Sequence, residues 1–222
     1  MKLLALSDIH GDMGVYESIP KLIRSAGAQA VVLAGDLLGS AMAGVETNSI
    51  EEAQRLQSDV VGRILQAVAV PVLYIMGNDD MIQWDFKDYP FHSLHGRSVQ
   101  IRGFRFVGYQ NTPPFMGGIH EKPEHEMQRE LKLLDAHVQA GDILISHGPA
   151  AGILDTTFSG EQVGSPALLA FRERNDFRCH IHGHIHESFG RTGRAFNVAI
   201  AHSRRATLID LADLMHDYLA IS

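Results

Sequence analysis

The sequence Lys2-Leu3-Leu4-Ala5-Leu6-Ser7-Asp8-Ile9-His10 joins a short apolar run to an aspartate and a histidine. Leucines with polar residues at both ends of the run predict a buried β-strand over Lys2–Ser7. The arrangement recurs in two later parts of the chain, where an apolar run again leads into polar side chains. These parts are Ala30–Ala34 followed by Gly35-Asp36, and Val72–Met76 followed by Gly77-Asn78-Asp79-Asp80.

Helices are predicted between these strands. Val15–Ala26 precedes Gly27, where a glycine C-cap is expected. Ser49-Ile50-Glu51-Glu52 has the form of a capping box. Apolar residues then recur at helical spacing, at Ala53, Leu56, Val60, Ile64 and Val68. Alternating strands and helices predict a parallel sheet covered by helices, with functional residues at the carboxyl ends of its strands.

The second half of the chain predicts further strands. Val99–Val107 alternates around Gly103 as an antiparallel hairpin. A helix with Pro123 in its first turn is expected to bury one face and to end at Gly141. That face carries Met127, Leu131, Leu134 and Val138. A short helix is predicted to begin at Ser165-Pro166. The later strands are predicted at Ile143–Ile145, Phe177–Ile181, Ala195–Ala199 and Ala206–Leu211. Without an internal repeat or linker, residues 1–222 are expected to form a single domain.

Composition excludes several classes of protein. The chain has 222 residues, 45% of them hydrophobic, and a net charge of −7, so it lacks the basic excess of a protein that neutralises nucleic-acid phosphates. Cys179 is the lone cysteine and rules out an internal disulfide. The first apolar run ends at Asp8, short of the roughly 7–15 residues of a signal peptide core. No run has transmembrane length. A cytoplasmic protein is expected, and a homo-oligomer is compatible with the sequence.

Five short segments carry side chains that bind divalent cations. They are Asp8-Ile9-His10, Gly35-Asp36, Gly77-Asn78-Asp79-Asp80, Ser146-His147-Gly148 and Gly183-His184-Ile185-His186. Each segment alone is most simply a turn, but together they place oxygen or imidazole donors after five apolar strands. Mixed Asp, His and Asn donors suit borderline cations such as Mn²⁺, Fe²⁺ or Zn²⁺. They do not suit a structural zinc, which is bound by thiolates.

In this order the five segments resemble the signature of the calcineurin-like metallophosphoesterases, which runs Asp-x-His, Gly-Asp, Gly-Asn-His-Asp/Glu, His and Gly-His-x-His. The resemblance extends from Leu3 to about Asp210. It implies an α/β fold in which two mixed β-sheets pack as a sandwich flanked by helices, in four layers α-β-β-α.

The resemblance also implies two adjacent metal sites. One would be formed by Asp8, His10, Asp36 and His186, and the other by Asp36, Asn78, His147 and His184, with Asp36 bridging. Two divalent ions in such a site clamp the attacking and leaving oxygens and supply a bridging hydroxide that attacks phosphorus. The implied substrate is a small phosphoester.

The third segment departs from the family pattern, because Asp79 stands where most members have a histidine. That histidine stabilises the transition state or protonates the leaving oxygen. A carboxylate near two cations stays ionised and is a poor proton donor. The sequence thus fits a branch without the histidine, and predicts weak activity on poor leaving groups. Asp36, Asn78 and Asp79 are the candidate catalytic residues, with Asp80 and His182 as supporting residues.

Other candidates have a simpler alternative beside the functional one. His180 is expected to be structural and Cys179 a small buried residue. Surface or capping roles are expected for the histidines outside the motifs: His92, His95, His120, His125, His137, His202 and His216. An aromatic group could wall the substrate or pack in the core: Trp84, Phe86 and Tyr89. Four arginines could bind phosphate or lie on the surface: Arg172, Arg174, Arg191 and Arg194. Substrate identity is expected to lie in the loops Gly39–Asn48 and Asn111–Lys122.

The favoured function is a phosphodiesterase or a hydrolase of activated phosphomonoesters. A pyrophosphate hydrolase, a nuclease and a weakly catalytic scaffold of the same fold are the alternatives. The complete ligand set favours an enzyme over a scaffold, and the acidic net charge disfavours a nuclease.

Overall fold

The computed structural model describes residues 1–84 and 89–221. Within them the strands are β1 (Lys2–Leu6), β2 (Ala30–Ala34), β3 (Val72–Ile75), β4 (Phe91–Ser93), β5 (Ser98–Ile101), β6 (Phe104–Tyr109), β7 (Ile143–Ser146), β8 (Cys179–His182), β9 (Gly190–Thr192), β10 (Ala195–Asn197), β11 (Arg205–Asp210) and β12 (His216–Ala220). The helices are α1 (Met13–Ala26), α2 (Ile50–Gln66), α3 (Glu124–Leu134), α4 (Pro166–Arg174) and α5 (Ile200–Ser203).

These strands form two six-stranded mixed sheets. The first has the order β12-β11-β1-β2-β3-β4, and β1 to β4 are parallel, as predicted for β1 to β3. The second has the order β5-β6-β7-β8-β10-β9, with β6, β7, β8 and β10 parallel. The predicted α/β sandwich of two mixed sheets is confirmed.

Alternation along each strand divides the core into layers. On β1, Leu3 and Ala5 face the second sheet, whereas Leu4 and Leu6 face α1 and α2. On β7, Ile145 faces inward and Leu144 faces α3 and α4. Period-two burial on both faces of both sheets gives four layers, α-β-β-α, as the family resemblance implied.

The end of α1 agrees with the sequence prediction, whereas the end of α3 does not. Gly27 has the expected left-handed conformation, with φ of 66°, and α1 begins two residues before Val15 because the Asp12 side chain caps it. The helix predicted from Pro123 to Gly141 is shorter. Pro123 is its N-cap, and α3 ends at Leu134, followed by a 3₁₀ turn.

The buried face of α2 is offset by about one residue from the apolar positions that recur at helical spacing in the sequence. Ser49 does cap the helix, accepting the N–H of Glu52. However, Leu56 is 39% exposed, and polar Gln54 and Gln57 are buried. Both glutamines hydrogen-bond loops of the first sheet, so the helix turns a polar edge inward where those loops need partners.

The hairpin predicted at Val99–Val107 is present as β5 and β6, which turn at Arg102 and Gly103, both with positive φ. Strand β10 ends at Asn197, two residues before the predicted end, although Ala199 still forms an isolated bridge with Ser7 before α5 begins. Strands β4, β9 and β12 were not predicted. Among the described residues no helix has the length and apolar character needed to cross a membrane.

Candidate metal centre

The loops that follow β1, β2, β3, β7 and β8 meet at one end of the sandwich. They bring all seven predicted ligand side chains together, from both sheets. Within the described residues, three groups of side chains have ligand atoms within 4.8 Å of one another. These groups are Asp8, His10 and His186; Asp36, His147 and His184; and His10, Asp36 and Asp79.

The first group joins the end of β1 to the loop after β8. Nε2 of His186 lies 3.2 Å from Oδ1 of Asp8 and 3.4 Å from Nε2 of His10. Two imidazole nitrogens and one carboxylate oxygen thus point at the same space. Asp8 is held in place by Ser7, whose hydroxyl donates to its Oδ2 at 2.5 Å, and by the backbone N–H of His184.

The second group surrounds His147, which is fully buried. Its Nε2 lies 3.2 Å from Oδ1 of Asp36 and 3.0 Å from Oδ1 of Asn78. The ring of His184 packs edge to face against His147 at 5.0 Å between centroids. The pKa of His184 is lowered to about 4 by burial and by the charge of His147, so this imidazole is neutral and available as a ligand.

Asp36 lies between the two groups. Its Oδ1 faces His147 at 3.2 Å, while its Oδ2 faces Nε2 of His10 at 3.9 Å. The carboxylate is buried, which would raise its pKa, but the charge and hydrogen bond of His147 outweigh burial and lower it. Asp36 is therefore ionised and directs one oxygen toward each group, the arrangement required of a bridging ligand.

The hydrogen bonds of His147 test whether a cation fits. Nδ1 lies 3.0 Å from the carbonyl oxygen of Ala34, which can only accept, so Nδ1 carries a proton. Nε2 faces Oδ1 of Asn78, another acceptor. In a neutral ring, the lone pair of Nε2 would face a lone pair of the Asn78 oxygen, and the two would repel each other. Nε2 therefore needs either a second proton or a cation. The donor set therefore fits a divalent metal.

Protonation takes that role in the metal-free site. Burial would lower the pKa of His147, but the charge and hydrogen bond of Asp36 outweigh it and raise the pKa to about 10. His10 behaves likewise. Burial would lower its pKa, and the hydrogen bond of Asp79 with the charges of Asp36 and Asp8 raises it to about 8. Metal ions entering the site must displace these protons.

Asp79 has contacts that the sequence did not predict. Its Oδ2 lies 3.3 Å from Nδ1 of His10, so it can orient that ring with Nε2 toward the first group. Its backbone N–H donates to Oδ1 of Asp36 at 2.9 Å. The Asp79 side chain is one-third exposed.

Asp80 supports the site from below. It is fully buried and accepts the backbone N–H groups of Leu37, Leu38 and Gly77. These bonds tie the turn after β2, which carries Asp36, to the turn after β3, which carries Asn78. Burial and the charge of Asp36 raise the pKa of Asp80 to about 7 despite these N–H bonds.

The backbone around the ligands is unusual. Four of them have left-handed conformations, which side chains other than glycine rarely adopt: Asp8 with φ of 57°, His10 with 47°, Asp36 with 51° and His184 with 69°. Gly183 allows a close approach, since a Cβ there would collide with Ser7 Oγ and Asp8 Oδ2. Sharp turns and one glycine together bring the two sheets into contact at this point.

Sequence reasoning missed residues that hold the ligand loops. Gln54 clamps the turn after β3, because it donates to the Asp79 carbonyl and accepts the Met81 N–H, both at 2.7 Å. Asn197, fully buried, donates to the Ile185 carbonyl between His184 and His186. A signal existed for Asn197, which is a single polar residue within an apolar run.

The two histidines of β8 face away from the ligands, because Cys179 and Ile181 take the inner face of that strand. His180 Nε2 lies 2.7 Å from the Ser146 hydroxyl. The rings of His180 and His182 pack with 4.9 Å between their centroids. Burial lowers the pKa of His182 to about 4. His182 makes no described hydrogen bond to a ligand side chain, but its Nδ1 lies 3.3 Å from the carbonyl oxygen of Gly183, beside the ligand candidate His184. Cys179 is buried, as expected.

Among the remaining histidines, His120 differs from the surface role expected. His120 is buried, with its Nδ1 2.9 Å from Nε2 of Gln110. His202 is exposed but packs edge to face on the ligand candidate His186, at 5.1 Å between centroids. His95 accepts the backbone N–H of Gln110.

The two described aromatic residues that follow the third segment pack in the core, which is one of the two roles expected for them. Trp84 is buried against Tyr74, and Tyr89 stacks on Phe91, so both belong to the core, while Phe86 lies outside the described residues. The arginines also lie elsewhere. Arg174 pairs with Asp135 and Arg194 with Asp176. Arg191 contacts Leu214, and Arg172 lines a cavity of about 430 Å³ together with Arg194.

Known proteins share both the fold and part of the sequence. A Thermus thermophilus protein of known structure superposes with a TM-score of 0.74 at 17% identity, covering 100% of this chain and 99% of that one. A dimetal phosphatase from Danio rerio superposes with a TM-score of 0.55 at 15% identity, covering 100% and 99%. At such identities the likeness concerns the fold.

A curated relative shares more sequence over a shorter stretch. Human metallophosphoesterase domain-containing protein 1 is 36% identical over 99 residues, which cover 44% of this chain and 30% of the relative. The profile of the calcineurin-like phosphoesterase family matches residues 1–188, which include every predicted ligand. This chain belongs to the calcineurin-like phosphoesterase family.

Proposed function

We propose that residues 1–222 form a single-domain, binuclear metal-dependent phosphoesterase that hydrolyses phosphodiesters or activated phosphomonoesters. The observation that carries this proposal is the pair of donor groups that share Asp36, each oxygen of which faces one group. In the proposal Asp8, His10, Asp36 and His186 hold one ion, and Asp36, Asn78, His147 and His184 hold the other. Bound there, Mn²⁺, Fe²⁺ or Zn²⁺ ions supply a hydroxide nucleophile and neutralise the phosphoryl oxygens.

The chain's own residues tune the charge of the site. Asn78 contributes an oxygen without a negative charge, which keeps the site attractive to an anion. Asp8, Asp36 and Asp79 offset most of the charge of two divalent ions, so the loaded site would keep little net positive charge with which to hold a dianionic ester. Among the described contacts, no lysine or arginine bonds to a ligand side chain. This charge pattern favours diesters over monoesters, and it disfavours pyrophosphates, which need additional cations.

Asp79 supports the restriction to activated esters. In the proposal it orients His10 through the contact at Nδ1 and offers no proton to a departing alkoxide. A leaving oxygen must therefore depart as an anion, which acidic phenols do readily and simple alcohols do not. The dimetal phosphatase from Danio rerio shares the fold of this chain, and this likeness is consistent with the proposal.

Metal reconstitution tests the proposal. Protein stripped with a chelator and reloaded separately with Mn²⁺, Fe²⁺ or Zn²⁺ would be assayed on bis(p-nitrophenyl) phosphate, p-nitrophenyl phosphate, pyrophosphate and single- and double-stranded DNA. We expect metal-dependent cleavage, strongest on the diester, and none by the Asp36→Asn variant. Two bound ions without turnover on any substrate would instead identify a scaffold, and preferential DNA cleavage a nuclease.

A further inference from the structure

Two loops beside the metal centre expose large apolar side chains. The loop after β6 carries Phe115 and Met116, which are 67% and 65% exposed. The loop between β7 and α4 carries Phe158, which is 79% exposed. We call these three residues the apolar rim. Exposed apolar groups of this size beside a polar site are typical of ligand contacts.

One residue of the rim contacts a proposed ligand directly, and a second lies one ring away from another ligand. The Phe115 ring packs edge to face against His184, at 5.5 Å between centroids. Phe158 lies 5.7 Å from the His202 ring, which packs on His186 at 5.1 Å. Both histidines of the Gly-His-x-His segment therefore have an aromatic side chain on their outer side, either directly or through one intervening ring.

The first loop is built to present its side chains. Glu121 accepts the backbone N–H groups of Phe115, Met116 and Gly117, at 2.6 to 2.9 Å. Gly118 packs so closely on the turn after β3 that a Cβ would collide with the Asn78 carbonyl oxygen. These contacts fix the loop against the metal centre while Phe115 and Met116 still project outward.

The second loop is tied to the segment that follows His186. The Phe158 N–H donates to Glu187 at 3.2 Å, and the Ser188 hydroxyl donates to the Thr156 carbonyl at 2.8 Å. Both loops thus keep apolar side chains in water beside the metal centre, which costs free energy of hydration. A substrate group that covers them recovers that cost.

We propose that the apolar rim binds the organic group of the substrate, so that the site selects phosphoesters of planar aromatic groups over those of small alkyl groups. This inference rests on the proposed function, because it requires a phosphoryl group at the metal centre. Phe115 and Phe158 offer aromatic faces for stacking, and Met116 offers a polarisable thioether. Phe115 is then a specificity-determining residue.

Two phosphonates test the rim without any chemical step. Phenylphosphonate and methylphosphonate carry the same anionic head and differ only in the organic group. Calorimetric titration into the Mn²⁺-loaded full chain should show phenylphosphonate binding about 10-fold more tightly. Phe115→Ala should remove most of this difference by weakening only phenylphosphonate, and Phe115→Trp should retain it. Leu133→Ala, which removes another exposed apolar side chain on α3, is the matched control.

The outcomes separate this inference from the proposed function. Binding of neither phosphonate would contradict the phosphoesterase proposal itself. Equal binding of both by the unmodified chain would overturn the rim alone. Equal weakening of both by Phe115→Ala, with lower metal content by elemental analysis, would show that Phe115 only positions His184. A change of oligomeric state in Phe115→Asp, with an unchanged phosphonate ratio, would assign the rim to a protein interface.

Discussion

Asp36 is the residue on which the proposed metal centre depends most. It is buried, ionised and directed at both donor groups. Asp36→Asn keeps the shape but removes the negative charge that both ions would share. We expect loss of bound metal and a fall in kcat/KM of more than about 100-fold, beyond the effect of an outer-shell change. Elemental analysis and steady-state kinetics measure both quantities.

Asp176→Asn is the matched control for that change, because Asp176 is an exposed aspartate paired with an arginine on the surface. It should leave metal content and kcat/KM unaltered. Two ions retained per chain in Asp36→Asn would contradict the bridging role.

Asp79 governs which leaving groups are tolerated. A positioned proton donor contributes about 10²–10⁴-fold to a rate, so Asp79→His should speed poor leaving groups much more than good ones. A series of substituted phenyl esters keeps the aromatic contact constant while the acidity of the leaving phenol changes. The plot of log kcat/KM against phenol pKa should be steep for the unmodified chain and flatter for Asp79→His.

Asp79→Ala serves as the control for this series. It should cost little on the most activated ester when metal is saturating, although loss of the contact with His10 should weaken metal binding about 10-fold. Abolished activity on every ester with both ions still bound would show that Asp79 takes a direct part in catalysis.

At the level of elements, the turn after β8 requires a glycine at position 183, because there is no room for a Cβ. Gly183→Ala would drive a Cβ into Ser7 Oγ and Asp8 Oδ2, without any change of φ sign to confuse the result. We expect a destabilisation of about 1–3 kcal/mol by overpacking, with weaker metal binding because Asp8 must move. Urea unfolding and metal titration measure the two effects.

Gly14→Ala is the comparison for that variant, since Gly14 lies inside α1 and a Cβ there comes only within 3.3 Å of the Asp12 side chain. Alanine in a helix should be neutral or slightly stabilising. Equal stability of the two variants would contradict the close approach at Gly183.

The elements that sequence predicts are those with a strong apolar pattern. β1, β2, β3 and β7 are buried on both faces and were evident as apolar runs. β9 and β12 are edge strands with mostly exposed or half-buried residues, and β4 has three half-buried residues, so their pairing leaves no periodic signal. Their positions follow from tertiary contacts.

The same distinction applies to the site. The seven ligand candidates were found because each follows a recognisable strand within an ordered signature. Phe115 and Phe158 were not, since a loop's position relative to a metal centre depends on bonds such as those of Glu121 and Glu187. The loop Asn111–Lys122, which carries Phe115, was expected to determine the substrate, whereas no prediction was made for the loop that carries Phe158.

At the level of the whole molecule, the metal centre connects the two sheets. Asp8, Asp36 and Asn78 follow strands of the first sheet, whereas His147 and His184 follow strands of the second. Ions bound between them should stabilise the sandwich by about 2.7 kcal/mol per site when metal is at 100 times its dissociation constant. For a domain of this size that corresponds to a rise in Tm of about 5–10 °C per site.

This stabilisation should depend on pH. The pKa of His10 is raised to about 8 and that of His147 to about 10, so their protonation stabilises the metal-free fold below pH 6.5 and is lost as pH rises through those values. Metal binding releases the same protons and strengthens with pH. The Tm difference between Mn²⁺-loaded and chelator-treated protein should therefore grow from about pH 6 to pH 8. A difference independent of pH would contradict binding through these imidazoles.

The left-handed backbone at Asp8, His10, Asp36 and His184 has an evolutionary consequence. Each such conformation costs roughly 1 kcal/mol in a residue with a side chain, and a glycine would adopt it without that cost. Replacement of these residues by glycine would thus relieve strain while destroying the centre, so selection for folding alone would erode it. Of the eight non-glycine residues with this backbone among those described, half lie at the centre, so the fold concentrates its backbone strain where the ligand side chains are needed.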